Sequence, residues 1–258
     1  MNRFLLDNGP ELCSNITLLA MLPKIHRIHF KSVTSTQDQV REHARRDEIW
    51  VGTADTQTFG RGSRGRNWQS DPGNIQLTCA LPKNQVGIAT VSLLPLQAGW
   101  VVVRLLKENG LEKVELKWPN DALIDGKKVA GILVEQSPYH YLVGIGLNVA
   151  SHPPDSSVAT PATSLIAGYP HLKKRELENS LIQQLVAFFL QPCAEEEFLE
   201  QWRREMNWNR KYRVRGEGGT LVHPIDVNAQ GHLLVEDSKG ARRWLISEYL
   251  ETESLPQG

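Results

Sequence analysis

The 258-residue chain has no excess charge of either sign, with 29 Lys+Arg against 29 Asp+Glu. It has no overall field with which to hold a polyanion, which excludes a general nucleic-acid coat protein. Cysteine is scarce. Cys13, Cys79 and Cys193 are odd in number and far apart, which suits reduced thiols in a cytoplasm and excludes a disulfide framework. Long apolar runs are missing as well. Residues 16–22 are too short for the h-region of a signal peptide. Residues 91–106 contain Gln97 and Arg104 and fall short of the roughly 20 apolar residues of a membrane span. The histidines and cysteines form no HExxH or CxxC cluster, which argues against a bound transition metal. What is there is an ordinary globular composition, 40% hydrophobic and 22% charged, long enough for one large domain and a small module.

Residues 1–29 are mixed, hard to place and too few for a typical helix-turn-helix module. Thr36 followed by Gln39 matches a capping box and predicts a helix over 36–46. Residues 49–54 read as a short strand. Ile75, Leu77, Cys79 and Leu81 alternate with Gln76, Thr78 and Ala80, the pattern of a strand with one face in the core. Residues 92–108 give the strongest helix, closed by Asn109-Gly110 where a left-handed cap is expected. Strands follow at 114–118, 122–124, 129–135 and 141–149, with Asp125-Gly126 as a hairpin turn. Residues 151–161 read as a loop, and 173–190 and 194–208 as two amphipathic helices. Beyond residue 211, short alternating runs at 212–215, 221–222, 233–236 and 243–246 are punctuated by Gly216, Gly218, Gly219, Gly231 and Gly240. That is the signature of a small barrel-like β module. The order predicts an α+β domain with a mixed, largely antiparallel sheet covered by helices, and a boundary near Asn209.

Residues 57–68 read QTFGRGSRGRNW, with three arginines and no carboxylate. Arginine forks and exposed backbone N–H groups suit an anion. Gly60-x-Gly62-x-x-Gly65 satisfies the dinucleotide-binding pattern, but Trp68, Pro72 and then a strand follow where that fold needs a helix. Gly60-x-x-x-x-Gly65 also opens a phosphate-binding loop, yet Arg66-Asn67 replaces the Lys-Ser/Thr that loop requires. The plainest alternative is a solvated basic turn.

The surroundings narrow the choice. Ser35-Thr36-Gln37, the Gly/Arg loop with residues 70–74 behind it, the KWPND run at 117–121, KVAGILVE at 128–135 and GIGLNV at 144–149 occur in one order and spacing. Together they closely resemble the biotin protein ligases, over roughly residues 30–251. The resemblance implies a class II synthetase-like catalytic domain at 30–208, an N-terminal extension at 1–29 and an SH3-like barrel at 209–258. It implies an enzyme that joins biotin to AMP using ATP, then passes biotin to a lysine of a carrier protein, by family precedent the biotin carboxyl carrier of acetyl-CoA carboxylase. Mg²⁺ would come with the nucleotide, and no dedicated metal site is expected. Because the family core begins near Phe30, a ligase without the N-terminal DNA-binding domain is expected, with no DNA or membrane partner. Homodimers occur in the family through sheet edges that this sequence does not locate.

The resemblance also implies roles. Ser35, Thr36, Gln37 and Gln57 match residues that hydrogen-bond the ureido ring, although helix capping alone would explain Ser35 and Thr36. Arg61 matches the arginine spanning the biotin carboxylate and the phosphates, within a loop in which Gly60, Gly62 and Ser63 also face biotin. Lys128 matches the lysine at the bridging anion of the adenylate. Arg64, Arg66, Trp68, Lys117 and Asn120 are expected near the nucleotide. Asp121 is expected to serve Mg²⁺ or to accept a proton from the incoming amine. Gly131, Leu133, Gly144 and Gly146 would line a thin floor under the ligand, with Asn148 on the adenine side.

Most members of the family read Gly-Arg-Gly-Arg where this chain has Gly60-Arg61-Gly62-Ser63. The missing guanidinium predicts faster escape of the adenylate than from a Ser63→Arg form, unless Arg64 swings in to replace it. Two rival readings compete. A lipoate or octanoate ligase or transferase shares the fold but lacks this Arg/Gly loop followed by Trp. An RNA- or peptide-binding barrel would rely on Arg213, Arg215, Arg242 and Arg243, with aromatic residues limited to Tyr212, Trp244 and Tyr249, a sparse stacking platform.

Overall fold

The computed structural model describes residues 24–87, 90–154, 160–215, 220–246 and 250–252. Cys13, Gly216, Gly218, Gly219, Tyr249, most of the extension expected at 1–29 and the centre of the loop expected at 151–161 lie outside the described residues.

Seven strands form the main sheet: β1 (Ile25–Val33), β2 (Ile49–Gln57), β3 (Ile75–Pro82), β4 (Val114–Lys117), β5 (Asp121–Ile124), β6 (Lys127–Gln136) and β7 (His140–Leu147). Their spatial order is β1-β2-β3-β7-β6-β5-β4. The β1–β2 pair is parallel and the remaining pairs are antiparallel, which matches the expected mixed sheet. β1 was illegible in the sequence because it is an edge strand. His26, Arg27, His29 and Lys31 blur its alternation, and none of its residues is fully buried. The boundary expected at 29/30 therefore falls inside a strand.

Among the described residues, four α-helices join the sheet: α1 (Thr36–His43), α2 (Leu94–Glu108), α3 (Lys174–Leu190) and α4 (Glu195–Glu205). β3 separates two cores. Ile75, Cys79 and Leu81 enter the large cluster beneath α2, α3 and α4, whereas Ala80 packs with Val40 of α1 and Leu142. All eight β3 residues are buried, so the expected one-sided strand is covered on both faces. α1 ends at His43, short of the expected Arg46, because Ala44 turns extended at ψ 121°. The capping box is not formed: Ser35 is the N-cap without a side-chain bond to the helix. α2 closes as expected, with Gly110 at φ 86°, and the Asp125-Gly126 turn has φ of 49° and 77°.

The C-terminal strands β8 (Tyr212–Val214), β9 (Leu221–Val227), β10 (Leu233–Asp237), β11 (Arg242–Leu245) and β12 (Leu250–Thr252) form a five-stranded antiparallel sheet, ordered β11-β10-β9-β8-β12. Its inward residues Tyr212, Val222, Leu233, Val235 and Leu250 belong to the same hydrophobic cluster as the main sheet. Between β4 and β5, Trp118 is buried and its indole Nε1 donates to the carbonyl of Gly231 at 2.8 Å. The KWPND turn is thus fastened to the second sheet.

Candidate active site

A cleft of about 700 Å³ opens on the α1 face of the main sheet, within the usual range for small-molecule sites. Its floor is bare backbone. Gly131 of β6 pairs with Gly146 of β7, and Leu133 with Gly144. Trp68 lies against this floor. A Cβ at Gly131 would stand 2.8 Å from the indole, and one at Gly146 would overlap it. Close approach of the ring is what demands glycine there. A Cβ at Gly144 would meet Gln37 Nε2 at 3.1 Å.

The wall beside α1 is a set of polar groups held by one another. The Thr36 backbone N–H and hydroxyl both reach Gln57 Oε1, at 2.8 and 3.0 Å, and the hydroxyl also meets that of Thr78 at 2.8 Å. Gln57 Nε2 donates to Ser70 Oγ at 2.9 Å. Gln37 Nε2 donates to the Leu133 carbonyl at 3.1 Å, leaving its buried Oε1 without a partner among the described residues. Asn120 and Asn148 each donate to a backbone carbonyl, Ile132 O at 2.7 Å and Thr163 O at 3.1 Å.

Arg61, Arg66 and Lys128 line the cleft, and Arg61 and Lys128 are held in different settings. The Gly/Arg loop is a small hairpin closed by Trp68 N–H to Gly60 O and Gly62 N–H to Arg66 O, both 2.7 Å, with Arg64 and Gly65 left-handed at its tip. Arg61, with 35% of its side chain exposed, pairs with Asp38 at 2.5 Å and Glu135 at 3.1 Å, and Arg41 also binds Glu135. The Asp38 carboxylate, aided by Glu135, raises the Arg61 pKa against the opposing effect of burial. Lys128, 17% exposed, sits over the Trp68 ring at 5.3 Å and contacts Asp121 Oδ1 at 2.5 Å. The other oxygen, Oδ2, receives Lys117 Nζ at 2.8 Å, and both of those side chains are essentially fully buried. Burial by itself would raise the Asp121 pKa, but the two ammonium groups overrule it and hold the carboxyl well below its usual range.

Of the expected site residues, all line the cleft except Lys117, Asp121 and Arg64. Lys117 and Asp121 stand behind Lys128. Both side chains are essentially fully buried, and neither is among the residues that line the cleft where their direct roles were expected. Arg64 lines a smaller groove with Pro95 and Pro119. Ser63 accepts a hydrogen bond at its Oγ from Arg66 Nη2 at 2.8 Å. Among the described residues, no group of three or more His, Cys, Asp or Glu is placed to hold a metal ion. The buried Cys79 thiol is pushed up to about 12 by desolvation, so it is no nucleophile.

Comparison with known proteins identifies the lineage. Residues 29–148 match the Biotin/lipoate A/B protein ligase family. The chain is 32% identical over 203 residues to the biotin--[acetyl-CoA-carboxylase] ligase of Mycobacterium tuberculosis, covering 75% of each chain. The chain belongs to the biotin protein ligases. It is also 34% identical over 137 residues to the bifunctional ligase/repressor BirA of Bacillus subtilis, covering 50% of this chain and 42% of that one. It thus spans less than half the length of the Bacillus relative. The biotin protein ligase of Aquifex aeolicus, solved in complex with biotin and ATP, superposes with a TM-score of 0.75 at 27% identity, over 88% of this chain and 99% of that one.

Within this biotin protein ligase fold, sequence reasoning overlooked three residues that shape the site. Asp38 and Glu135 hold Arg61, and Thr78 holds Thr36. Thr78 carried a readable signal, being a polar residue on the alternate face of an apolar strand. Asp38 looked like an ordinary first-turn acid of α1, and its partner is 23 residues away in sequence.

Proposed function

We propose that the chain is an ATP-dependent biotin protein ligase that forms biotinyl-5′-AMP and transfers biotin to a lysine of a carrier protein, such as the biotin carboxyl carrier of acetyl-CoA carboxylase. The observation that carries this reading is one cleft combining a glycine floor under Trp68 with two cations, Arg61 and Lys128, at its walls. The unmet acceptor Gln37 Oε1 suits a ureido N–H.

The chemistry follows from charge. Bringing a carboxylate against a polyphosphate costs several kcal/mol per close pair at an effective dielectric of about 20. Arg61 and Lys128 offset that repulsion, so the carboxylate oxygen attacks the α-phosphorus in line and pyrophosphate departs. In the second step the acceptor lysine amine attacks the acyl carbon of the mixed anhydride and AMP departs, leaving an amide. Neither step calls on a protein nucleophile. Mg²⁺ bound to the nucleotide would supply screening of its phosphates. Asp121 serves to hold Lys128 in place. A cytoplasmic location is consistent with the reduced cysteines, and among the described residues no helix is long and apolar enough to cross a membrane.

The test is pyrophosphate release with ATP, Mg²⁺ and either biotin or lipoate. Release dependent on biotin, followed by label transfer to a carrier domain, is expected. Release driven by lipoate instead would favour the lipoate ligase reading, and equal background with both would overturn the assignment.

A further inference from the structure

Phe59 lines the cleft and is 72% exposed. The apolar residues beneath it, Leu77, Ile132 and Ile145, line the same cleft and are buried. Among the described residues, none of the other exposed large hydrophobic side chains, Tyr139 and Trp244 among them, lines it. A single exposed apolar residue on a surface needs no explanation. This one differs because its backbone is pinned on both sides. Thr58 N–H donates to the Val33 carbonyl and Phe59 N–H to the Thr34 carbonyl, both at 2.9 Å, and the next carbonyl, of Gly60, accepts Trp68 N–H at 2.7 Å. The ring therefore stands in water as a property of the closed Gly/Arg hairpin, and it cannot withdraw without breaking those bonds.

We propose that Phe59 is a contact for the carrier protein, covered by apolar surface next to the acceptor lysine during the transfer step. This rests on reading the chain as a biotin protein ligase. In that reaction the acceptor amine must reach an acyl carbon inside the cleft, so the surface that carries the lysine has to come down on the residues around the opening. An aromatic ring held in water at that place is the kind of anchor that a protein partner buries. The small ligand has its own apolar contact in Trp68 above the glycine floor. It meets charge at Arg61 and Lys128, and neither role calls for a ring that faces solvent.

The experiment compares the wild type with Phe59→Ser, Phe59→Gln and Phe59→Leu in biotin-dependent pyrophosphate release, in transfer to hydroxylamine and in transfer to a biotin carboxyl carrier domain. Hydroxylamine attacks the same acyl carbon, forms the hydroxamate and frees AMP, but it brings no protein surface. Phe59→Ser is expected to raise KM for the carrier about tenfold, the scale of an apolar side chain no longer buried. Pyrophosphate release and hydroxamate formation should stay within about twofold of the wild type, as for an exposed residue outside the chemistry. Phe59→Leu keeps much of the apolar area and should stay within about threefold for the carrier. Should Phe59→Ser fail to fold, Phe59→Gln carries the same expectation and decides. An unchanged carrier KM, or a loss shared equally by carrier and hydroxylamine, overturns the inference. With an unchanged carrier KM, weaker biotin binding by calorimetry would put the ring over the small ligand. Loss of a wild-type oligomer in sedimentation would put it against a second copy, and each of these results also overturns the inference. A wild type that forms no biotinyl-adenylate overturns the functional reading and this inference with it, whereas a wild type active on the carrier with an unaffected Phe59→Ser overturns this inference alone.

Discussion

Lys128 and Arg61 face the same cleft and both touch carboxylates, but they are held by opposite means. Lys128 is fixed from behind by a buried carboxylate that also contacts the ammonium of Lys117. Arg61 is held at the cleft mouth by Asp38 and Glu135, in a cluster that water reaches. Buried charge pairs are rigid and costly to break, whereas half-exposed ones are worth about 0–1 kcal/mol and exchange partners readily. One cation is therefore part of the fold, and the other is available to be taken over by an arriving anion.

Five substitutions would break or sharpen that contrast. The largest effect is expected from Asp121→Asn, which leaves two ammonium groups together in the interior and should cost about 3 kcal/mol of unfolding free energy, measured by denaturant titration. Because the folded-state pKa of Asp121 is depressed, its contribution is present above the unfolded value near pH 4 and is lost as the pH falls further. The acid limb of the wild-type stability curve should therefore be steeper than that of Asp121→Asn. Next come Lys128→Ala and Arg61→Ala, each expected to lose at least about 2 kcal/mol in kcat/KM for pyrophosphate release. Lys128→Ala should also disturb stability, while Arg61→Ala should leave the melting temperature near that of the wild type. Gly146→Ala forces Trp68 off the floor and should weaken biotin binding by about 1–2 kcal/mol, the scale of an overpacked contact. The smallest effect belongs to Asp38→Asn. It removes one of two anchors of Arg61 and should shift stability by less than about 1 kcal/mol, with a difference from the wild type that fades in high salt. A large, salt-insensitive loss there would erase the distinction between the two cation sites.

Local patterns made much of this legible. The Asp125-Gly126 turn, the α2 cap at Gly110 and the Gly/Arg loop are properties of neighbouring residues, and each formed where the sequence pointed. Order and spacing of short runs brought Gln37, Arg61, Trp68 and Lys128 to one cleft. The edge strand β1 was lost because its pairing is parallel and its alternation is interrupted by charged residues. The burial of Lys117 and Asp121 was not legible because a KWPND run does not tell which way its side chains point. That depends on β4 and β5 pairing Lys117 directly opposite Asp121, a fact of register. Thr36 read as a helix cap, but a glutamine 21 residues away competes for its hydroxyl and wins.

The bond from Trp118 to Gly231 carries a consequence for any attempt to trim this chain. A fragment ending at residue 208 would keep every group that lines the cleft, yet its indole N–H would lose its acceptor and Tyr212, Leu233 and Leu250 would no longer cover the apolar surface beneath. The turn that aims Asp121 at Lys128 is the place where that exposed surface would open. The C-terminal sheet, remote from any bound biotin in sequence, is thereby a structural wall of the catalytic unit, and cutting it away would be felt first at the lysine.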